Sequence, residues 1–476
     1  MQAISSDITG STNVVQITLA VKTSVPFSMN LVYQEELGLA LTRKGTAIVG
    51  NQLAASQVCQ GLFNHIDTAS ASSKMFAAFN GTIYDVVAGA SSSGGWDATL
   101  PIRFGTFLNT TMALNGTSQP QAYTAGGWIT SGGNLDLSNV PVGAKNPIEF
   151  KSRFYCTVSD VLYFTTVAVN NSVSWTAAGS GNLLISREDG GGVIQGLAKV
   201  PGYLLIFKQH SLKRWDGQST FPEDLVSLGT QSAESIVYGQ STVYFFYGPK
   251  GFYATQGNFP VRISRPIQRV VDGIDPAFYS KINGWCDNEH VYWSVGNVTI
   301  DFSGGFKETH NNVVVRYTID TQQWAVLKYG AQFQRMTKYV TGGTILIVAG
   351  DNNGNVLQLN TGNQDYGNIP ISYILQSPEF DFGFRDKAKK IDDKIVVHTY
   401  NASGGTLQVL VNHGQGGRTW ENVGKVEGFV SWVKPQKPLI GNVFEFRIIG
   451  TVTGYPVRIR GIDFLTSSVE ILESTT

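Results

Sequence analysis

The chain has 476 residues, 53 of them Gly, with 11% aromatic and 15% charged residues and a formal net charge of zero from 35 Lys plus Arg and 35 Asp plus Glu. That length excludes a small stapled scaffold and fits two or three domains, or one large repeat fold with an extra module. Balanced charge excludes a global pull toward nucleic acid or acidic membranes, and a charge content below the ~25% of ordinary soluble domains implies uncharged polar surface or surface covered by other subunits.

The N-terminal stretch MQAISSDITGSTNVVQITLAVKTSVPF lacks a basic start and a continuous apolar segment, so no secretion signal and no membrane insertion are expected. Residues 1–30 read as an extended polar segment. LVYQEELGLALTRKGTAIVG, residues 31–50, offers a closing strand for whatever ring follows.

Strand–turn–strand units then recur. KMFAAFNGTIYDVVAG begins at Lys74, TMALNGTSQPQAYTAGGW at Thr111, RFYCTVSDVLYFTT at Arg153, LLIFKQHSLKRWDG at Leu204 and VYFFYGPKGFYATQG at Val243. VYWSVG at Val291 is paired with NNVVVRYTIDTQQW, and TILIVAGDNNGNVLQLNTG starts at Thr344. A spacing of roughly 35 to 55 residues matches the period of propeller blades, each of four short strands whose apolar faces only neighbours can cover. The turns Asn80-Gly81 and Asn115-Gly116 suit tight hairpins, because both residue types tolerate positive φ. Aromatics that close the second strands, such as Trp128 and Trp215, are expected to pack between blades rather than to stack sugars.

The expected fold is all-β: a six- or seven-bladed β-propeller over residues 31–365, then a C-terminal β-sandwich over 366–476. ISYILQSPEFDFG, IDDKIVVHTY, TLQVLVNH, VFEFRIIG and VRIRGIDFL alternate at sandwich spacing, and TGNQDYGNIP, residues 361–370, has the composition of a linker.

Catalytic and metal chemistry finds no support. REDGGGVIQG, residues 187–196, has no Gly-Lys-Ser/Thr and opens no helix, so it reads as a blade connection. DNNGN, residues 351–355, lacks the second carboxylate and terminal Glu of a calcium loop. HGQGGRTW, residues 413–420, lacks the Ser and Asp of a sialidase-type turn. The adjacent acids Glu188-Asp189, Glu223-Asp224 and Asp392-Asp393 cannot pair catalytically, since successive strand residues point to opposite faces. The six histidines form no ligand pair, and no GxSxG elbow occurs. Cys59, Cys156 and Cys286 are widely separated, which argues for three buried free thiols. No enzyme activity and no cofactor are expected. Arg262, Arg265 and Arg269 in VRISRPIQRVVDGID remain candidates for contact with phosphates or a neighbouring subunit, with a solvated loop as the plainer alternative.

The order of segments resembles the β-propeller tail proteins of tailed bacteriophages, in particular the tail nozzle or packaged-DNA stabilisation proteins of short-tailed phages. The likeness rests on LGLALTRKGTAIVG, FNGTIYDV, IRFGTFLNTTMALNG followed by PQAY, and FKSRFYCTVSDVLYF. Further along come SREDGGGVIQGLAKVPGYLLIFKQHSLKRWDG, FPEDLVSLGTQSAESIV, YFFYGPKGFYATQG and RISRPIQRVVDGID. It covers residues 31–330, with a weaker match in the C-terminal segment. It implies a virion protein of the tail: a homo-hexameric ring beside the head-to-tail adaptor and tail fibre proteins. Such a ring closes a channel that retains the packaged genome and passes it at ejection, with transient, non-specific contact to double-stranded DNA. The alternatives are a receptor- or glycan-binding tail-tip propeller and, behind it, a glycan-cleaving propeller enzyme.

Overall fold

A computed structural model describes residues 14–18, 27–34, 39–68, 70, 72–185, 192–302, 306–377, 379, 388–391, 395–413, 416–452, 454–465 and 469–472. Five antiparallel four-stranded sheets follow one another as blades 1 to 5, at 59–93, 103–129, 145–184, 194–226 and 237–262. Blade 6, at 283–328, is a four-stranded unit that continues at its outer edge into a larger sheet. Blade 7, at 333–359, is completed by Thr46–Ile48, which pairs antiparallel with Val356–Leu359.

Each strand's alternation explains the ring. In Tyr203–Lys208, Leu204 and Ile206 pack with Tyr155 and Leu162 of blade 3, whereas Leu205 and Phe207 pack with Val243 and Phe245 of blade 5. A strand buried on both faces reads as a continuous apolar run, which is why LLIF does not alternate. The same interdigitation recurs between the other neighbours, and Cys59, Met75 and Phe79 of blade 1 meet Tyr339 and Val348 of blade 7. First and last blades therefore touch, and the ring is closed. All three cysteines are free and buried.

Asn80 and Gly81 make the expected tight turn, with φ of 46° and 72°. Asn115-Gly116 does not: Gly116 has positive φ, but the Asn115 side chain accepts from the backbone N–H of Thr117 and Ser118, at 3.1 and 2.8 Å. The Asn side chain takes the place of the backbone acceptor and opens a longer loop before Gln121.

Beyond the ring, a sandwich-like module packs two layers over one core. Its large layer runs Phe27–Met29, Ser372–Gln376, Val443–Thr451, Ile395–His413, Arg458–Leu465, Leu39–Thr42 and Leu31–Gln34; the small one joins Leu439–Gly441, Ala388–Ile391 and Val469–Leu472. Ile391 and Leu439 of the small layer share a core with Val397, Leu407, Phe446 and Ile448.

The ring's N-terminal edge falls later than residue 31. Leu31–Gln34 and Leu39–Thr42, expected in the propeller, pair with each other and with Arg458–Leu465 of the C-terminal module, burying Leu31 and Ala40 in its core. Only Thr46–Ile48 of that segment enters the ring, because Leu357 and its neighbours leave a single edge to fill. Nor is residues 361–370 a free linker. Gln364–Asp365 and Ile369–Pro370 form a small hairpin, and Asp365 is buried.

Candidate functional site

The three arginines singled out by sequence lie on one segment but not in one environment. Arg262 ends the outer strand of blade 5, is half-buried, and donates to Oε1 of Gln268 on the short helix Gln268–Asp272. Arg265 is exposed at the preceding turn. Arg269 is exposed on the helix and lines an open groove of about 790 Å³ with Asp272, Asp275, Asp301 and Lys307. Three carboxylates beside Arg269 offset its charge, so the groove is mixed rather than basic. Asp272 and Asp275 stand in the same segment as the arginines, whereas Asp301 and Lys307 arrive from the long hairpin of blade 6, which local sequence could not reveal.

The ring's axis carries a charged group that sequence reading missed. Arg103, on the innermost strand of blade 2, donates from Nε to Glu234 Oε1 at 2.7 Å, and Glu234 lies in the turn entering blade 5. Since blades 2 and 5 stand across the ring from each other, this bond spans the axis. Arg103 also donates to Asn146 Oδ1 of blade 3 at 2.8 Å. Burial alone would raise the Glu234 carboxyl, but Arg335 of blade 7 and Arg103 outweigh it and hold it below the ordinary value. No spacing signal links residues so far apart in sequence.

Two further polar junctions tie ring to sandwich. Arg43 and Asp365 form a buried bidentate pair, and Arg43 lies 4.0 Å from the centre of the Tyr329 ring. Arg447 pairs bidentately with Glu308 at 2.5 and 2.6 Å, beside His310. His310 stacks on Phe27, and burial, helped by Lys328 and Arg447 and opposed by Glu308, lowers its pKa to about 4.

The remaining candidates are held by structural contacts. Glu223 pairs with Arg214 at 2.7 Å, while Asp224, on the other face of the strand, pairs with Lys213. Asp351 Oδ1 accepts from the backbone N–H of Asn353 and Asn355 within its own turn, both at 2.8 Å. Glu188, Asp189, Asp392 and Asp393 lie outside the described residues. Among the described residues, no three His, Cys, Asp or Glu side chains gather to hold a metal, and no helix is long and apolar enough to cross a membrane.

No protein-family profile matches the chain, and no curated protein does. Among solved structures, the extracellular domain of a protein described as a one-component system from B. thetaiotaomicron aligns at 10% identity with a TM-score of 0.42. The alignment covers 87% of this chain and 62% of that one, so this chain spans less than two thirds of its length, as a distant likeness of shape.

Proposed function

We propose that this protein is a non-catalytic virion component, the nozzle ring of a short tail, which closes the DNA channel, retains the packaged genome and passes it during ejection. The observation that carries the reading is the collinear run of segments from FNGTIYDV to RISRPIQRVVDGID, which resembles the tail-nozzle proteins and whose described residues follow in order through blades 1 to 5 and the short helix after them. The axis adds a constraint. An ion pair of 2.7 Å across the centre of the propeller leaves no passage for a duplex within one chain, so a channel requires several copies around a shared lumen. Six copies are expected from the resemblance.

Low charge content suits this role. A conduit lined by many Lys and Arg would bind phosphates strongly and oppose transit, whereas few contacts permit sliding. Mass measurement on assembled tails, with cryo-imaging of subunit-labelled particles, tests the proposal. A six-fold ring below the portal is the expected result; a stable monomer at a fibre tip would overturn it and favour the receptor-binding alternative.

A further inference from the structure

The strand Gly416–Val433 borders the sandwich-like module. It pairs antiparallel with Ile395–His413 and, among the described residues, with no other strand. Its other side is therefore a sheet edge, where main-chain donors and acceptors lack ladder partners, and natural proteins keep such edges short, charged or covered. This one is long and partly apolar. Phe429, Val430 and Trp432 are 66%, 45% and 58% exposed.

The edge is also its own complement. Residues 420–432 read WENVGKVEGFVSW, and turning the segment end for end about Val426 sets Trp420 opposite Trp432, Gly424 opposite Gly428 and Lys425 opposite Glu427. Two copies laid antiparallel about a two-fold axis at Val426 make each of these pairs twice. Lys425 then faces Glu427 of the partner subunit on both sides of the axis, and opposite charges directly across a strand pair stabilise it.

The faces of the strand agree with that register. Val426 is fully buried in the core of the module, so alternation turns Lys425 and Glu427 to the outer face, and both are exposed. Asn422 and Val430, which the same axis relates, are exposed as well. Gly428, with φ of 72°, kinks the strand, and Ser431 Oγ holds the kink by accepting from the Glu427 N–H at 2.7 Å and donating to the Glu427 carbonyl at 2.8 Å. The kink keeps the regular ladder short, and beyond it the exposed apolar side chains contribute packing.

Symmetry names the occupant. A strand from another protein would need no palindrome, whereas a second copy of this chain requires one. An isologous contact also closes on itself and leaves no further edge to recruit a third chain.

We propose that the free protein forms a two-fold dimer by joining the edge of Gly416–Val433 to the same edge of a second copy, with Lys425 and Glu427 setting the register. The inference goes beyond the nozzle reading and does not rest on it. A six-fold ring about one axis contains no two-fold contact, so the pair belongs to the chain before assembly. There it covers an edge open to stray strands, and it parts as the ring forms.

Sedimentation velocity on the full chain tests the pairing. A monomer–dimer equilibrium with a Kd on the order of 10 μM is expected for so short a ladder. Lys425→Glu and Glu427→Lys each set like charges opposite one another on both sides of the axis and should weaken the dimer about tenfold or more. Both changes in one chain restore opposite charges and should recover the wild-type affinity. Mixed together, the two single variants should form a heterodimer more tightly than either pairs with itself, because each supplies the charges that the other lacks. Both positions are exposed, so thermal unfolding of the variant monomers should be unchanged. A chain that stays monomeric at about 200 μM overturns the proposal. So does a dimer that both single variants leave undiminished, or a double variant that pairs no more tightly than the singles, since another surface would then make the contact.

Discussion

Arg43 and Asp365, 322 positions apart, meet as a doubly hydrogen-bonded ion pair at 2.8 and 2.6 Å, with side chains only 2% and 4% exposed. Each is satisfied beyond the pair: Arg43 also donates to Asn30 Oδ1 and the Lys328 carbonyl, and Asp365 accepts from the Gly330 N–H. The junction therefore gathers the N-terminal strand, blade 6 and the 364–370 hairpin into one polar knot. Arg43→Ala leaves a buried carboxylate without its counter-charge and should cost about 3–5 kcal/mol in urea unfolding. Arg43→Met with Asp365→Leu should cost clearly less, because no lone charge remains. A single-variant loss under about 1 kcal/mol would mean that water reaches the site.

His310 should make the ring–sandwich contact sensitive to acid. Its folded pKa of about 4 lies below the ~6.5 of an unfolded histidine, so between those values the unfolded chain takes up a proton that the folded protein refuses. Stability is fully present above pH ~6.5 and falls as pH drops toward 4, by up to about 3 kcal/mol. His310→Gln should flatten that part of the pH–stability curve. An unchanged slope between pH 6.5 and 4 would place the sensitivity elsewhere.

At the axis, Glu234→Gln keeps the shape but removes the charge that separates Arg103 from Arg335. We expect a loss of about 1–3 kcal/mol at neutral pH, measured by thermal unfolding. Because the carboxyl is held below its ordinary value, this stabilisation persists above pH ~4.3 in the wild type and disappears as pH falls through the folded pKa. The variant and the wild type should therefore converge in acid, and a gap that stays constant with pH would contradict the assignment.

Arg265→Ala and Arg269→Ala, both at exposed positions, should change folding stability by no more than about 0.5 kcal/mol. If the proposed nozzle holds DNA through this segment, each replacement should make DNA retention less salt-dependent, by roughly one unit of slope. If assembly fails before retention can be measured, the segment serves contact between subunits instead.

The repeat was legible because it is local. A blade's apolar strands, its turn residues and its period sit within a few dozen residues, so the all-β ring and the module after it could be read from Lys74 to Thr344 onward. What escaped was everything the ring brings together from afar. Leu31–Gln34 carries the same alternation whether it closes a blade or joins Arg458–Leu465 through Leu39–Thr42. Arg103 and Glu234 look like ordinary loop charges until the circle places blades 2 and 5 opposite each other. The arginine segment was visible with Asp272 and Asp275 beside it, but the approach of Asp301 and Lys307 from the hairpin of blade 6 was not.

The clasp of blade 7 also dictates an order of events during synthesis. Thr46–Ile48 leaves the ribosome before any blade exists, yet the edge it fastens, Val356–Leu359, is among the last parts of the ring to appear. Until then the outward face of blade 1, with Cys59, Met75 and Phe79, has no cover, and the early strand carries unpaired amides. A nascent chain halted before Leu359 is thus an open crescent with two sticky ends, prone to join its neighbours on the polysome. Moving the clasp to follow Leu359 in a circular permutant would turn the longest closure into a hairpin, and such a chain should refold faster with its blades unchanged.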